Sequence, residues 1–159
     1  MKKLSLAILT LGLSAVVNAA GYGVIDLEKV VESSQYLKQQ NASLEASIKP
    51  QASKLEQLNK ELPALQKQSQ TQGTNLKQIE TQYQAKMSVF TTLQQSVQSR
   101  VQTTIQNTNK TFEARVKQAA EQLRQENSLD LVLNKNAALA FDSKYDLTAK
   151  MIQKVNAIK

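Results

Sequence analysis

The stretch 65-LQKQSQTQGTNL-76 is polar, holds Gly73, and interrupts about 100 residues that otherwise carry apolar side chains at helical spacing. Glycine accepts backbone conformations that end a helix, so this stretch predicts a hairpin tip, near residues 66–75, between two long arms. On its N-terminal side a seven-residue repeat runs Leu37, Leu44, Gln51, Leu58, Leu65 at one core position and Asn41, Ile48, Leu55, Leu62 at the other. Seven of these nine positions are apolar, which predicts a coiled-coil seam in which Asn41 and Gln51 weaken packing or fix register. Pro50 and Pro63 fall inside the pattern, and each removes a helical hydrogen bond at about 3 kcal/mol in a helix interior. The first arm is therefore expected to be bent or locally broken.

On the C-terminal side, periodicity resumes through Leu76, Ile79, Tyr83, Met87, Phe90, Leu93, Val97, Val101, Ile105, Phe112, Val116, Ala119 and Leu123. The average step is nearer 3.6 than 3.5 residues, so this helix should stay straighter than a strict heptad would. At ~1.5 Å per residue, about 50 residues extend roughly 75 Å. A compact globule of this chain length would measure only about 29 Å across. The arm, assigned to residues 27–127, must project.

The N-terminus reads as an export signal. Lys2 and Lys3 precede the apolar run Leu4 to Val17, which is short for a permanent membrane span, and small residues follow. Residues 1–19 are taken as a signal peptide cleaved after Ala19, with Ala20 as the nearby alternative and an uncleaved anchor as the rival reading. Loss of Lys2 and Lys3 leaves 18 basic side chains against 13 acidic ones, a net charge of +5. An exported basic chain meets anionic lipid, lipopolysaccharide and acidic polypeptides, and nucleic acid is not expected. The positive charges, Arg100, Lys110, Arg115 and Lys117 among them, are dispersed along both arms, which favours diffuse attraction over a tight pocket.

Cysteine and histidine are absent. That leaves no disulfide framework, no usual general base and none of the commonest metal ligand. There is no Gly-rich phosphate loop and no close pair of carboxylates suited to acid and base work. The reading is a non-enzyme with no cofactor, no metal and no ATP-driven step.

The chain ends differ from the middle. Tyr22 to Asp26 predicts a strand, with Asp26 capping a helix that begins at Leu27. Ser128 to Leu133 predicts a second strand and Ala137 to Phe141 a third, joined by Asn134-Lys135-Asn136 as a tight turn. Asp146 is expected to cap a final amphipathic helix with Leu147, Met151, Val155 and Ile158 on one face. Residues 20–26 and 128–159 thus build one small head. So few strands leave edges exposed and bury little core alone, so association through the head is expected. The fold class is mainly α with a small β head.

Gly23-Val24-Ile25-Asp26, a long helical hairpin, Leu129-Asp130-Leu131-Val132-Leu133, Asn136-Ala137 and Asp146-Leu147-Thr148-Ala149-Lys150 together resemble the Skp (OmpH) family of periplasmic chaperones. The resemblance covers the chain beyond the signal and is specific at its two ends. It implies a homotrimer whose heads combine into a β-barrel body, with tentacle-like arms around a cavity. It also implies an ATP-independent holdase that keeps unfolded outer-membrane proteins soluble. On this reading Val24, Ile25, Leu131, Leu133, Leu139 and Phe141 are the candidates for barrel core and interface. Tyr83, Met87 and Phe90 either grip an unfolded client or fill the seam, and Arg100, Lys110, Arg115 and Lys117 are the basic client-binding candidates. The family's lipopolysaccharide-binding cluster has no adjacent basic match here, and that site is not carried over. A structural coiled-coil spacer or adaptor of the envelope is the alternative function.

Overall fold

The computed structural model describes residues 21–71 and 75–159. The expected signal peptide and Gly73 lie outside the described residues. The order is β1 (Tyr22–Ile25), α1 (Leu27–Ser33), α2 (Gln35–Ser69), α3 (Leu76–Glu126), β2 (Leu131–Asn134), two single 3₁₀ turns, and α4 (Thr148–Ala157).

Two long helices dominate. α2 and α3 pack side by side as a hairpin, with Arg115 over the Tyr36 ring at the base and Lys86 paired with Glu61 further out. At ~1.5 Å per residue the 51-residue α3 is about 77 Å long, so the arms do project. Of the predicted seam on α2, Leu58 and Leu62 are buried and Leu37, Leu44, Ile48, Leu55 and Leu65 are half-buried. Gln51 also turns inward, whereas Asn41 is exposed.

The expected break at the prolines does not occur. α2 runs unbroken through Pro50 and Pro63 for 35 residues. Both prolines lie on the exposed side, as do Ala46 and Asn59, whose carbonyls lose their helical donors, so water can satisfy them while the seam holds the helix together. The break falls instead at Ser34, between α1 and α2. Ser34 is buried, takes an extended ψ of 114°, and caps α2 by accepting the Leu37 N–H at 3.2 Å. Asn156 from α4 clamps this corner: its Oδ1 accepts the Gln35 N–H at 2.9 Å and its Nδ2 donates to the Ser33 carbonyl at 3.2 Å.

At the base of the arms, β1 and β2 pair in parallel, with Tyr22 opposite Leu131 and Ile25 opposite Asn134. The connection between them is the whole hairpin. Gly23 lets Leu147 pack close, because a Cβ there would lie 2.5 Å from Leu147 Cδ1 and the leucine would have to shift. Asp26 caps α1 as expected, accepting the Lys29 N–H at 3.2 Å; that bond, and then Lys135, hold its carboxyl below the usual range. α4 buries Met151 and Val155; its N-cap is Leu147 and not the expected Asp146, which stands one residue earlier and still accepts the Thr148 N–H at 2.8 Å.

The expected third strand is not formed. β2 ends at Asn134, Lys135–Ala137 make a single 3₁₀ turn, and Ala138 to Phe141 have no ladder partner among the described residues. A three-residue hairpin turn needs a residue with positive φ, and none of Asn134, Lys135 and Asn136 adopts one, Asn134 sitting at φ −72°. The second strand also starts later than expected, because Ser128 at φ 49° still belongs to the end of α3.

The buried cluster comprises Ile25, Val30, Phe112, Ala119, Leu123, Met151 and Val155. It joins β1, α1, α4 and the last turns of α3. Head and arm therefore share one core at the base.

Candidate functional site

Two surfaces fit the expected roles, one on the head and one along the arm. On the head, Val24 and Ile25 are buried inside the chain, Ile25 in the main cluster. Leu131 and Leu133 point the other way from Val132, which packs on the core, and they are 42% and 37% exposed. Leu139 is fully exposed, and Phe141 is half-buried. Thus Leu131 and Leu133 leave an uncovered apolar edge on β2, in a sheet that has two strands among the described residues, and Leu139 is separately exposed further along the chain. A pair of parallel strands is marginal alone. Tyr22 stacks on Tyr145 at the same end, ring centroids 4.5 Å apart.

Along the arm, the aromatic and sulfur candidates divide. Tyr83 and Phe90 are half-buried on the seam side, whereas Met87 is 36% exposed. Tyr83 also lines a groove of about 380 Å³ near the tip with Leu65, Leu76 and Ile79. Further in, Thr108 and half-buried Thr104 face α2 where the apolar repeat placed Ile105, and Ile105 is 49% exposed. A run of four-residue steps drifts around a helix, and here the drift brings threonines inward.

The basic candidates also differ from one another. Arg100 and Lys110 are exposed and form no ion pair among the described residues. Lys117 pairs with Glu113 at 2.6 Å, which holds that carboxyl below its usual range. Arg115 is committed within the molecule: it donates to the Ile158 carbonyl at 2.6 Å and lies 4.1 Å above the centre of the Tyr36 ring. Nothing in the local sequence marks that role, since both partners are distant in the chain. Its signal was the aromatic Tyr36 at the start of α2.

Among the described residues no group of three or more His, Cys, Asp or Glu could hold a metal ion, and no helix is long and apolar enough to cross a membrane. The grooves are open and shallow, set between or beside helices.

Residues 21–155 match the family model described as Outer membrane protein (OmpH-like). The chain belongs to the OmpH-like family. No curated protein is similar to it at a significant level. Among solved structures, the OmpH-like protein from Caulobacter crescentus CB15 superimposes with a TM-score of 0.62 at 20% identity, covering 87% of this chain and 85% of that one. At that identity the likeness speaks for the OmpH-like fold, a long helical hairpin rising from a small mixed base.

Proposed function

We propose that the protein is an ATP-independent periplasmic holdase that binds unfolded outer-membrane proteins and keeps them soluble until delivery. The observation that carries the reading is the distribution of surface: a hairpin about 77 Å long leaves most residues of each helix exposed. Family membership supports it, and the Caulobacter relative is named as a candidate outer membrane chaperone. Dispersed cations suit a client that must be held by many weak contacts and released. Exposed Met87, Arg100 and Lys110 are the contacts we assign to the client first; Tyr83 and Phe90 contribute their open faces, while Lys117 acts only when it leaves Glu113.

The working unit in this proposal is a homotrimer. Leu131, Leu133 and Leu139 of each head meet the neighbouring copies and complete a β-barrel body, with Val24, Ile25 and Phe141 packed behind them. Export by a cleaved signal puts the trimer in the periplasm. Lipopolysaccharide or anionic lipid is a further candidate partner for the exposed cations.

A second reading, a structural spacer or adaptor of the envelope, is favoured by one observation, the unbroken passage of α2 through both prolines. The two are separated by diluting an outer-membrane protein from urea into the purified protein and following light scattering. Suppressed scattering at a threefold excess of chains supports the holdase, and unchanged aggregation rejects it.

A further inference from the structure

Residues 81–112 of α3 contain no aspartate or glutamate, although the rest of both arms is rich in glutamate. The side of α3 facing α2 follows Tyr83, Lys86, Phe90, Leu93, Val97, Val101, Thr104 and Thr108. Opposite it, at steps of three and four, lie Ser88, Thr92, Gln95, Ser99, Gln102 and Gln106, all exposed and none hydrogen-bonded to another described side chain. This is a stripe of amides and hydroxyls about 27 Å long at ~1.5 Å per residue, with Lys110 one turn beyond its end.

Its composition is selective. A face meant only to stay hydrated is served as well by Glu and Lys pairs, which the arms use elsewhere at Glu56 and Lys60 and at Glu113 and Lys117. Glutamine differs from both in offering donors and an acceptor on one uncharged group, as a peptide bond does. An unfolded chain presents a row of unpaired N–H and C=O groups whatever its sequence, and carboxylates, which only accept, would serve half of them. We propose that this stripe binds the backbone of an unfolded polypeptide through side-chain amide and hydroxyl hydrogen bonds. Recognition is then independent of client sequence, and the stripe supplies the part of affinity that salt does not screen.

This inference rests on the holdase reading and sharpens it. The test compares three full-length proteins for binding an unfolded, fluorescently labelled outer-membrane protein at low and at high salt. One is wild type, one carries alanine at all six stripe positions, and one carries glutamine at all six. Both replacements favour helix, so the arm should persist, and circular dichroism checks that it does. At high salt, where the screening length is only a few ångströms, the alanine protein should bind about tenfold more weakly and the glutamine protein at least as well as wild type. Equal or tighter binding by the alanine protein overturns the inference in favour of apolar capture. Weakened binding of lipopolysaccharide alone, with the client unaffected, overturns it in favour of a glycan. Failure of wild type to bind any client removes the holdase reading itself, an outcome distinct from the other two.

Discussion

Ser128 stands at φ 49°, the one positive-φ residue other than glycine among the described residues, immediately after the end of α3. Around it the Leu129 N–H reaches the Arg124 carbonyl at 2.8 Å and the Ser128 N–H reaches that of Gln125 at 3.2 Å. These two bonds form the left-handed helix end that glycine normally makes, here with a side chain that strains it. Ser128→Gly should raise stability by about 0.5–1 kcal/mol, read as a higher urea midpoint. A lower midpoint would show that the serine is not strained. The Asn156 clamp and the Arg115 bond to Ile158 have the same character, single polar side chains that close a corner. Neither residue type announces such a task in sequence, because each partner lies far away along the chain.

Each element was legible to the extent that its determinants are local. The α2 seam, the Asp26 cap and the buried face of α4 rest on spacings of three or four residues and on a cap beside its helix, and these stand in the structure. The Ser34 break rests on Asn156, and the parallel pairing of β1 with β2 on residues more than 100 positions apart, so neither follows from a local pattern. The third strand failed because the residues after β2 enter a single 3₁₀ turn instead of reversing the chain, so Ala138 to Phe141 do not run back along β2. Among the candidate residues, Leu131, Leu133 and Leu139 are apolar in sequence and exposed in the single chain, whereas the withdrawal of Arg115 onto Tyr36 follows from no local pattern. Within α2, Gln51 turns its Oε1 into the interface with no hydrogen-bond partner among the described residues. Gln51→Leu should remove that unmatched acceptor and stabilise the hairpin by about 1–2 kcal/mol in urea denaturation. Destabilisation would mean that the amide is satisfied in solution, by water or by another chain.

For the whole molecule, acid and assembly provide the informative tests. Glu121 is held down to about 2 from an ordinary 4.5, first by its hydrogen bond to Arg124 and then by Gln125, and Glu56, Glu61, Glu113 and Asp146 are lowered as well. Folded values below unfolded ones make these groups stabilising above about pH 4.5 and progressively less so as pH falls toward 2. With no histidine in the chain, the melting temperature should be flat from about pH 5 to 8 and fall modestly below 4.5, since the pairs are exposed. A decline that begins near neutrality would point to a different acid-sensitive contact. Leu139 is fully exposed in the single chain, so Leu139→Asp costs the fold little and reports on association. If Leu139 lies in the proposed contact between heads, sedimentation should find the variant dissociated, because the substitution would bury an unpaired charge there. An intact assembly would move the interface elsewhere. The central claim is that several copies jointly hold one unfolded client, and native mass measurement of the protein mixed with a urea-diluted outer-membrane protein tests it most directly. The account predicts a particle of three chains plus one client; a lone chain, or an assembly that never gains the client's mass, would contradict it.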